Sequence, residues 1–289
     1  MAPALSEPSV TRFRIDLAYD GGLYAGFAKQ PDQTTVQGAL EGALSAVVRH
    51  PVDGVCAGRT DRGVHALAQV MHVDLEPVSL KAIKAVSNLE VLRDRLDNLV
   101  GEGITIWSVT KVEPTFDARF SATSRSYRYR LSVGPAEPRL RHVVWQFEHP
   151  LDVATMQDGM ALAVGPHDFR AFCRQHQGRT TNREIYTAAV GIVAATLTSQ
   201  ATSDAGNADR RTAGDEMHIT LTGRAFCHQQ VRAIVGSLVE VGRGRRDVAW
   251  FGEVLRIGDR ALAGPVAPAH GLTLERITYP DPWPDAPYL

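Results

Sequence analysis

The sequence predicts an α+β fold of two ferredoxin-like (RRM-like) halves, with largely antiparallel sheets joined across a central cleft. Three observations carry this expectation. Residues 11–115 read in the order β-α-β-β-α-β, which is the order of the ferredoxin-like unit. Their first strand alternates Phe13, Ile15, Leu17 and Tyr19 with Arg12, Arg14, Asp16 and Ala18, giving one buried and one mostly polar face. Residues 116–280 repeat the theme with larger decorations, without enough internal similarity to mark a duplication.

Each element has its own reason. Residues 1–10 are expected to be a disordered N-terminus. After the first strand, Asp20-Gly21-Gly22 turns the chain. A helix over 35–49 puts Val36, Leu40, Ala43, Leu44 and Val47 on one stripe, with Thr34 or Thr35 as its cap. Two strands flank the loop around Asp61, the second covering 69–75. A helix over 79–100 and a strand over 104–112 complete the first half. In the second half a strand covers 126–133, a helix 152–164, and strands 184–197 and 216–222. Residues 198–215, rich in Ser, Thr, Ala, Gly and Asp, read as a long loop. Helices over 227–241 and 247–257 and a strand over 272–279 follow. Residues 281–289 form a Pro-rich tail.

Composition narrows the function classes. The 289 residues are 44% apolar, enough for a sizeable core. Lys and Arg number 31 against 32 Asp and Glu, a net of -1, so bulk charge does not argue for a nucleic-acid partner, although a local basic surface remains open. Cys56, Cys173 and Cys227 are widely spaced, which suggests neither a disulfide framework nor a metal knuckle, and a reducing cytoplasm is the simplest reading. No basic leader is recognised, and no apolar run approaches the roughly 20 residues that cross a bilayer.

The stretch Cys56-Ala57-Gly58-Arg59-Thr60-Asp61-Arg62-Gly63-Val64-His65-Ala66 holds the chemistry. Glycine allows tight turns and close backbone approach, so an acid between Gly58 and Gly63 is expected to be presented away from the sheet. A single presented carboxylate suffices for nucleophilic chemistry, and a neighbouring cation such as Arg59 would keep it ionised. The plain alternative is a turn aspartate that satisfies backbone donors.

Further motifs fall in order around this loop: Tyr19-Asp20-Gly21, Tyr24-Ala25-Gly26-Phe27, Thr35-Val36-Gln37 with Leu40-Glu41, and Gln69 after the loop. Then come Phe116-Asp117-Ala118-Arg119-Phe120-Ser121-Ala122-Thr123, Tyr127-Arg128-Tyr129, Val231-Arg232 with Ile234-Val235-Gly236, and Gly271-Leu272. Along residues 12 to 280 the chain resembles the TruA-type tRNA pseudouridine synthases. The resemblance implies isomerisation of uridine to pseudouridine in the anticodon stem-loop of tRNA, without a cofactor or metal, by a cytoplasmic homodimer with its catalytic site in the central cleft. It makes Asp61 the catalytic nucleophile, Tyr127 the aromatic residue packing on the base, Arg232 the partner of the catalytic carboxylate, Arg59 the arginine that helps displace the base, and Leu272 an apolar pocket residue.

Each assignment has a plainer counterpart. Tyr127 alternates with Tyr129 and Leu131 as a core residue would, Leu272 would ordinarily be core, and Arg59 could be a solvated loop charge. Arg232 sits in an apolar helix, where arginine is rarely buried unless paired. His65 and His228 lack metal-ligand company and read as structural or polar contacts. RNA contact needs cations. Candidates are Arg62, Arg179 and Arg183, with Arg125, Arg128 and Arg130 on one strand and Arg243, Arg245 and Arg246 past a helix C-terminus. The acids Asp94, Asp97, Glu240 and Glu253 are expected on outer helical faces. The chain departs from the family pattern at Arg62 (usually alanine), Ala28 (commonly glutamine), Gln229-Gln230 and residues 96–104. The rival readings are a non-catalytic RNA-binding protein of the same fold and a small-molecule hydrolase that uses the Asp61 carboxylate.

Overall fold

A computed structural model describes residues 10–76, 88–134, 138–174, 178, 180–193 and 216–284. It is α+β, with mostly antiparallel strand pairing and five α-helices among the described residues. The chain divides into two compact units. One runs up to Arg125 and takes up the chain again from Leu274; the other runs from Ser126 to Thr273.

In the first unit, β1 (Thr11–Tyr19) pairs antiparallel with β3 (His65–Leu75) on one side and β4 (Ile104–Val112) on the other. The short β2 (Gly54–Cys56) pairs with β3, and β10 (Leu272–Thr278) follows β3 in the strand order. Helix α1 (Val36–Val48) is capped by Thr35, whose hydroxyl accepts from the Gly38 N–H, and Val36, Leu40, Ala43 and Leu44 are buried along it. Helix α2 (Leu89–Leu99) starts at an Asn88 cap and buries Leu92 and Leu96. The first ten residues of the longer helix expected there lie largely outside the described residues.

The polar face of β1 differs from the expectation of a solvent-facing side. Arg14 and Asp16 are both buried. Arg14 donates from Nε and Nη2 to Asp16, Ser108 donates to the other carboxylate oxygen, and Arg14 Nη1 donates to the Pro284 carbonyl at 2.6 Å. The C-terminal segment covers this face: the Tyr279 ring lies 4.8 Å from the guanidinium carbon, and Trp283 packs edge-on against Phe116. A charged pair survives burial here because each partner is satisfied by the other and by further hydrogen bonds.

In the second unit, β5 (Ser124–Val133), β9 (Glu216–Gly223), β8 (Asn182–Val193) and β7 (Gly165–Asp168) lie in that order. The pairs β8–β9 and β7–β8 are antiparallel. Strand β6 (Trp145–Phe147) pairs parallel with β5. Neither β6 nor β7 has a sequence signature, since both are too short to show alternation. Strand β9 alternates strictly: Met217, Ile219 and Leu221 are buried, whereas Glu216, His218, Thr220 and Thr222 stay half-exposed. Helices α3 (Val153–Ala161) and α5 (Val248–Ile257) start at Asp152 and Asp247 caps. Helix α4 (Gln230–Gly242) is buried along most of its length.

One expectation is corrected. The structure joins Cys173 and Cys227 as a disulfide, with their Cα atoms 5.8 Å apart. They are 54 residues apart in sequence, so spacing gave no hint. Cys173 follows the turn over 170–172, Cys227 lies three residues before the start of α4, and the Arg174 N–H donates to the His228 carbonyl beside them. Cys56 alone is a free thiol, and it is buried. Residues 194–215, which include the expected long loop, lie outside the described residues.

Candidate active site

The Asp61 loop is held from four directions by residues of the first unit. From β3, Gln69 donates from Nε2 to the Gly58 carbonyl at 2.7 Å, while its Oε1 accepts from the Gly58 N–H at 3.3 Å. From β1, the Tyr19 hydroxyl lies 2.8 Å from the Thr60 hydroxyl and accepts from Gln69 Nε2 at 3.2 Å. From the Tyr24–Phe27 segment, the Phe27 N–H donates to the Thr60 carbonyl. Gly26, at φ +110, lies so close that a Cβ would come within 3.2 Å of both the Thr60 carbonyl oxygen and the Arg62 nitrogen. From the turn after β1, the Gly21 carbonyl accepts from the Gly63 N–H, and a Cβ on Gly21 would sit 2.0 Å from the Val64 carbonyl oxygen. Glycine is required at both positions, once for a positive φ and once for contact.

A fifth tie enters from behind. Arg125 is buried and donates from Nη2 to the carbonyls of Ala57 and Arg119 and from Nη1 to that of Ala122. It is therefore a structural clamp on the start of the loop, not one of the RNA-contacting cations anticipated from its strand. Helix α1 sets the strand that leads in. Glu41, buried, accepts from the Gly54 N–H and from Gln37, and Gln37 donates to the Gly54 carbonyl. The motif pair Gln37 and Glu41 thus fixes the start of β2. His65 accepts from the Gly21 N–H, which makes it a polar structural contact as expected. With its backbone fixed on all sides, the loop presents Asp61 half-exposed between exposed Arg59 and exposed Arg62. Such a carboxylate is positioned before substrate arrives, which is what a nucleophile needs. Burial pushes the neighbouring Cys56 thiol up to about 11, with Arg59 and Arg119 pulling the other way.

The remaining candidates belong to the second unit. Tyr127, on β5, is 9% exposed and meets Phe226 edge-on at 5.1 Å. Tyr129, two residues on, is fully buried, and its hydroxyl donates to the Pro268 carbonyl. Arg232 and the segment after α5 hold each other: Arg232 Nε donates to the Ala267 carbonyl at 2.8 Å, and the Ala267 N–H donates to the Arg232 carbonyl. Close packing explains the glycines of both motifs. A Cβ on Gly236 would lie 1.8 Å from the Pro265 carbonyl oxygen, and one on Gly271 would lie 2.7 Å from the Tyr129 ring. That contact delivers the chain to Leu272, buried at the start of β10. The departure at Gln229-Gln230 has a local role, since Gln229 takes φ +66 ahead of α4 and Gln230 Oε1 accepts from the Cys227 N–H.

The cations separate into two kinds. Arg130 is engaged by Glu216, which also accepts from His218, and together they hold the Glu216 carboxyl below its usual range, Arg130 contributing most. Arg243 and Arg245 pair with Glu240 past the end of α4, the structural alternative for that group. Asp97 is likewise structural, its carboxylate accepting from the Ile106 N–H. By contrast Arg183 is half-buried, its Nε has no hydrogen-bond partner, and burial lowers its tendency to stay charged. Arg179 lies outside the described residues. Among the described residues there is no cluster of three or more His, Cys, Asp or Glu suited to a metal, and no helix is long and apolar enough to cross a membrane.

A rigid loop that offers one carboxylate between two arginines, on an α+β scaffold, is the feature to compare with known proteins. A family profile described as tRNA pseudouridine synthase matches residues 17–110 and 160–280. A protein named tRNA pseudouridine synthase A from Frankia casuarinae is 42% identical over 280 residues, spanning 94% of this chain and 90% of the relative. Proteins of the same name from Bifidobacterium animalis subsp. lactis and Methylobacterium nodulans are 40% and 38% identical, over 94% and 96% of this chain and 94% and 99% of theirs. The chain belongs to the tRNA pseudouridine synthase family, a family of isomerases that act on tRNA.

Proposed function

We propose that this protein isomerises uridine to pseudouridine in the anticodon stem-loop of tRNA, with Asp61 as nucleophile. The observation that supports this most is the bracing of the Asp61 loop. Tyr19, Gly21, Gly26 and Gln69, which carry the family resemblance around it, all serve to fix its backbone. In the reaction the C1′–N1 bond breaks, the uracil turns, and C5 bonds to C1′. C5 gives up its hydrogen as a proton and N1 gains one, so no redox partner or energy source is needed. Asp61 can carry the intermediate covalently while the base turns. In this reading Tyr127 supplies a ring face to the base, Arg59 helps displace it from its stack, Arg232 pairs with the catalytic carboxylate, and Leu272 lines the apolar pocket. Lifting a stem base costs a few kcal/mol, which these contacts offset. Arg62, Arg179 and Arg183 contact phosphates; a half-buried guanidinium with an unsatisfied Nε, as at Arg183, gains most from an anion. The working form is a cytoplasmic homodimer of two-part subunits, each part a variation on the ferredoxin-like unit.

The test is direct. Incubation with tRNA transcripts, followed by chemical mapping of pseudouridine, should give product in the anticodon arm. Asp61→Asn should abolish it while tRNA binding stays within about tenfold. Binding without conversion by the parent protein would favour a non-catalytic RNA-binding protein, and turnover of a free nucleoside instead of tRNA would favour a hydrolase.

A further inference from the structure

The turn over 117–121 presents an aromatic ring that nothing in the reaction above uses. Phe120 is 80% exposed. A lone exposed hydrophobic residue needs no explanation, but the backbone that carries this one is held by an unusually complete set of bonds. Asp117 Oδ1 accepts from the N–H groups of both Arg119 and Phe120 at 2.8 Å. Ser121 returns its own N–H to the Asp117 carbonyl and accepts from the Asp117 N–H on its hydroxyl. The turn is also tied to its surroundings. His72 accepts from the Ala118 N–H, Tyr279 donates to the Ala118 carbonyl, and Arg125 donates to the Arg119 carbonyl. The same Arg125 Nη2 that grips Arg119 grips Ala57, the residue that opens the Asp61 loop, so the turn and the loop share one clamp. Arg119 carries its guanidinium over the Phe120 ring, 5.3 Å from the centroid, and Arg119 and Arg59 both act on the Cys56 thiol.

The geometry points to Phe120, backed by Arg119, as a stacking platform for an unpaired nucleobase of the bound RNA, next to the nucleotide that Asp61 attacks. This rests on the proposed function and adds a positioning residue to it. A ring that carries the Arg119 guanidinium 5.3 Å from its centroid is poorly suited to an apolar protein surface. It suits a polyanion whose bases offer π-faces, because stacking on an aromatic ring and contact with guanidinium act together. The rigid turn matters because a fixed backbone under the Phe120 ring reduces the freedom lost on stacking. The shared Arg125 clamp couples the platform's position to that of the Asp61 loop.

The test measures tRNA binding at one fixed salt concentration in the parent protein and in the Asp61→Asn background, alongside oligomeric state and melting temperature. Phe120→Ala should weaken binding about tenfold in both backgrounds, the equivalent of roughly 1.4 kcal/mol, with melting and oligomeric state unchanged. Phe120→Tyr and Phe120→Trp should retain affinity, and Phe120→Leu should not. Unchanged affinity in Phe120→Ala overturns the assignment. So does full rescue by Leu, which would make the site one of apolar bulk. A loss accompanied by a shift in oligomeric state overturns it in favour of a contact with a second copy of this chain. A Phe120-dependent affinity in a protein that makes no pseudouridine would support the platform while refuting the isomerase reading.

Discussion

Replacing Gln69 by leucine isolates what the loop's bracing contributes. Gln69 is fully buried, close to isosteric with leucine at its stem, and its amide makes two bonds to Gly58, one to Tyr19 and one to the Val70 N–H. Tyr19 keeps its bond to Thr60 after the change, so the loss falls on the Gly58 N–H and carbonyl and on the Val70 N–H. Each net hydrogen bond is worth about 0.5–1.5 kcal/mol, and a buried group left unpaired costs about 1–3. With Gly58 only half-buried, the total is about 2 kcal/mol. That lowers the melting temperature by roughly 4–8 °C for a unit of this size. The functional effect should be larger than the stability effect, because a displacement near 1 Å at a reacting group costs on the order of a hundredfold in rate. Single-turnover tritium release from tRNA bearing 5-tritiated uridine reads the C5 proton directly. The expected result is a rate at least about tenfold lower with tRNA affinity nearly unchanged. A parental rate in a folded Gln69→Leu protein would refute the idea that this side chain positions Asp61.

Four further outcomes can be checked. Tyr127→Phe should retain more activity than Tyr127→Ala, since a ring face serves a stacked base more than a hydroxyl does; equal losses, with circular dichroism unchanged, would assign the role to the hydroxyl. Gly236→Ala should cost about 2–3 kcal/mol and lower the melting temperature, because its Cβ would meet the Pro265 carbonyl at 1.8 Å; an unshifted melt would show that the loop gives way freely. Cys56, the one free thiol, should resist thiol reagents at neutral pH in the folded protein, with burial holding it protonated up to about 11; labelling as fast as in denaturant would contradict that burial. Glu216 is held below its ordinary range in the fold, so its stabilisation is present above the unfolded value and is lost as the pH falls through the folded one. Glu216→Gln should therefore melt lower than the parent at pH 7, and the difference should shrink as the pH falls through the folded value of Glu216.

Local sequence determined most of the secondary structure. Alternation found β1 and β5, because a strand with one face buried must repeat every two residues. Apolar stripes located α1 and α3 to within a few residues, and in the structure Thr35, Asp152 and Asp247 satisfy the first free N–H groups of α1, α3 and α5. The motif glycines were visible as letters, and so was the whole Asp61 loop. What sequence could not supply was every reason that depends on a distant neighbour. Gly21, Gly236 and Gly271 are required by backbone or rings 43, 29 and 142 residues away, counted from Val64, Pro265 and Tyr129. Arg125 read as a candidate RNA-contacting cation and Arg14 as part of the mostly polar face of its strand. The structure buries both, one on three carbonyls and the other under the C-terminal segment. Cys173 and Cys227 met across 54 residues with no spacing to announce it. Periodicity and capping are contracts between residues within one turn or one strand, and a chain carries them wherever it goes. Close approach and the satisfaction of buried charge exist only once remote segments share a surface, so only the folded chain decides them.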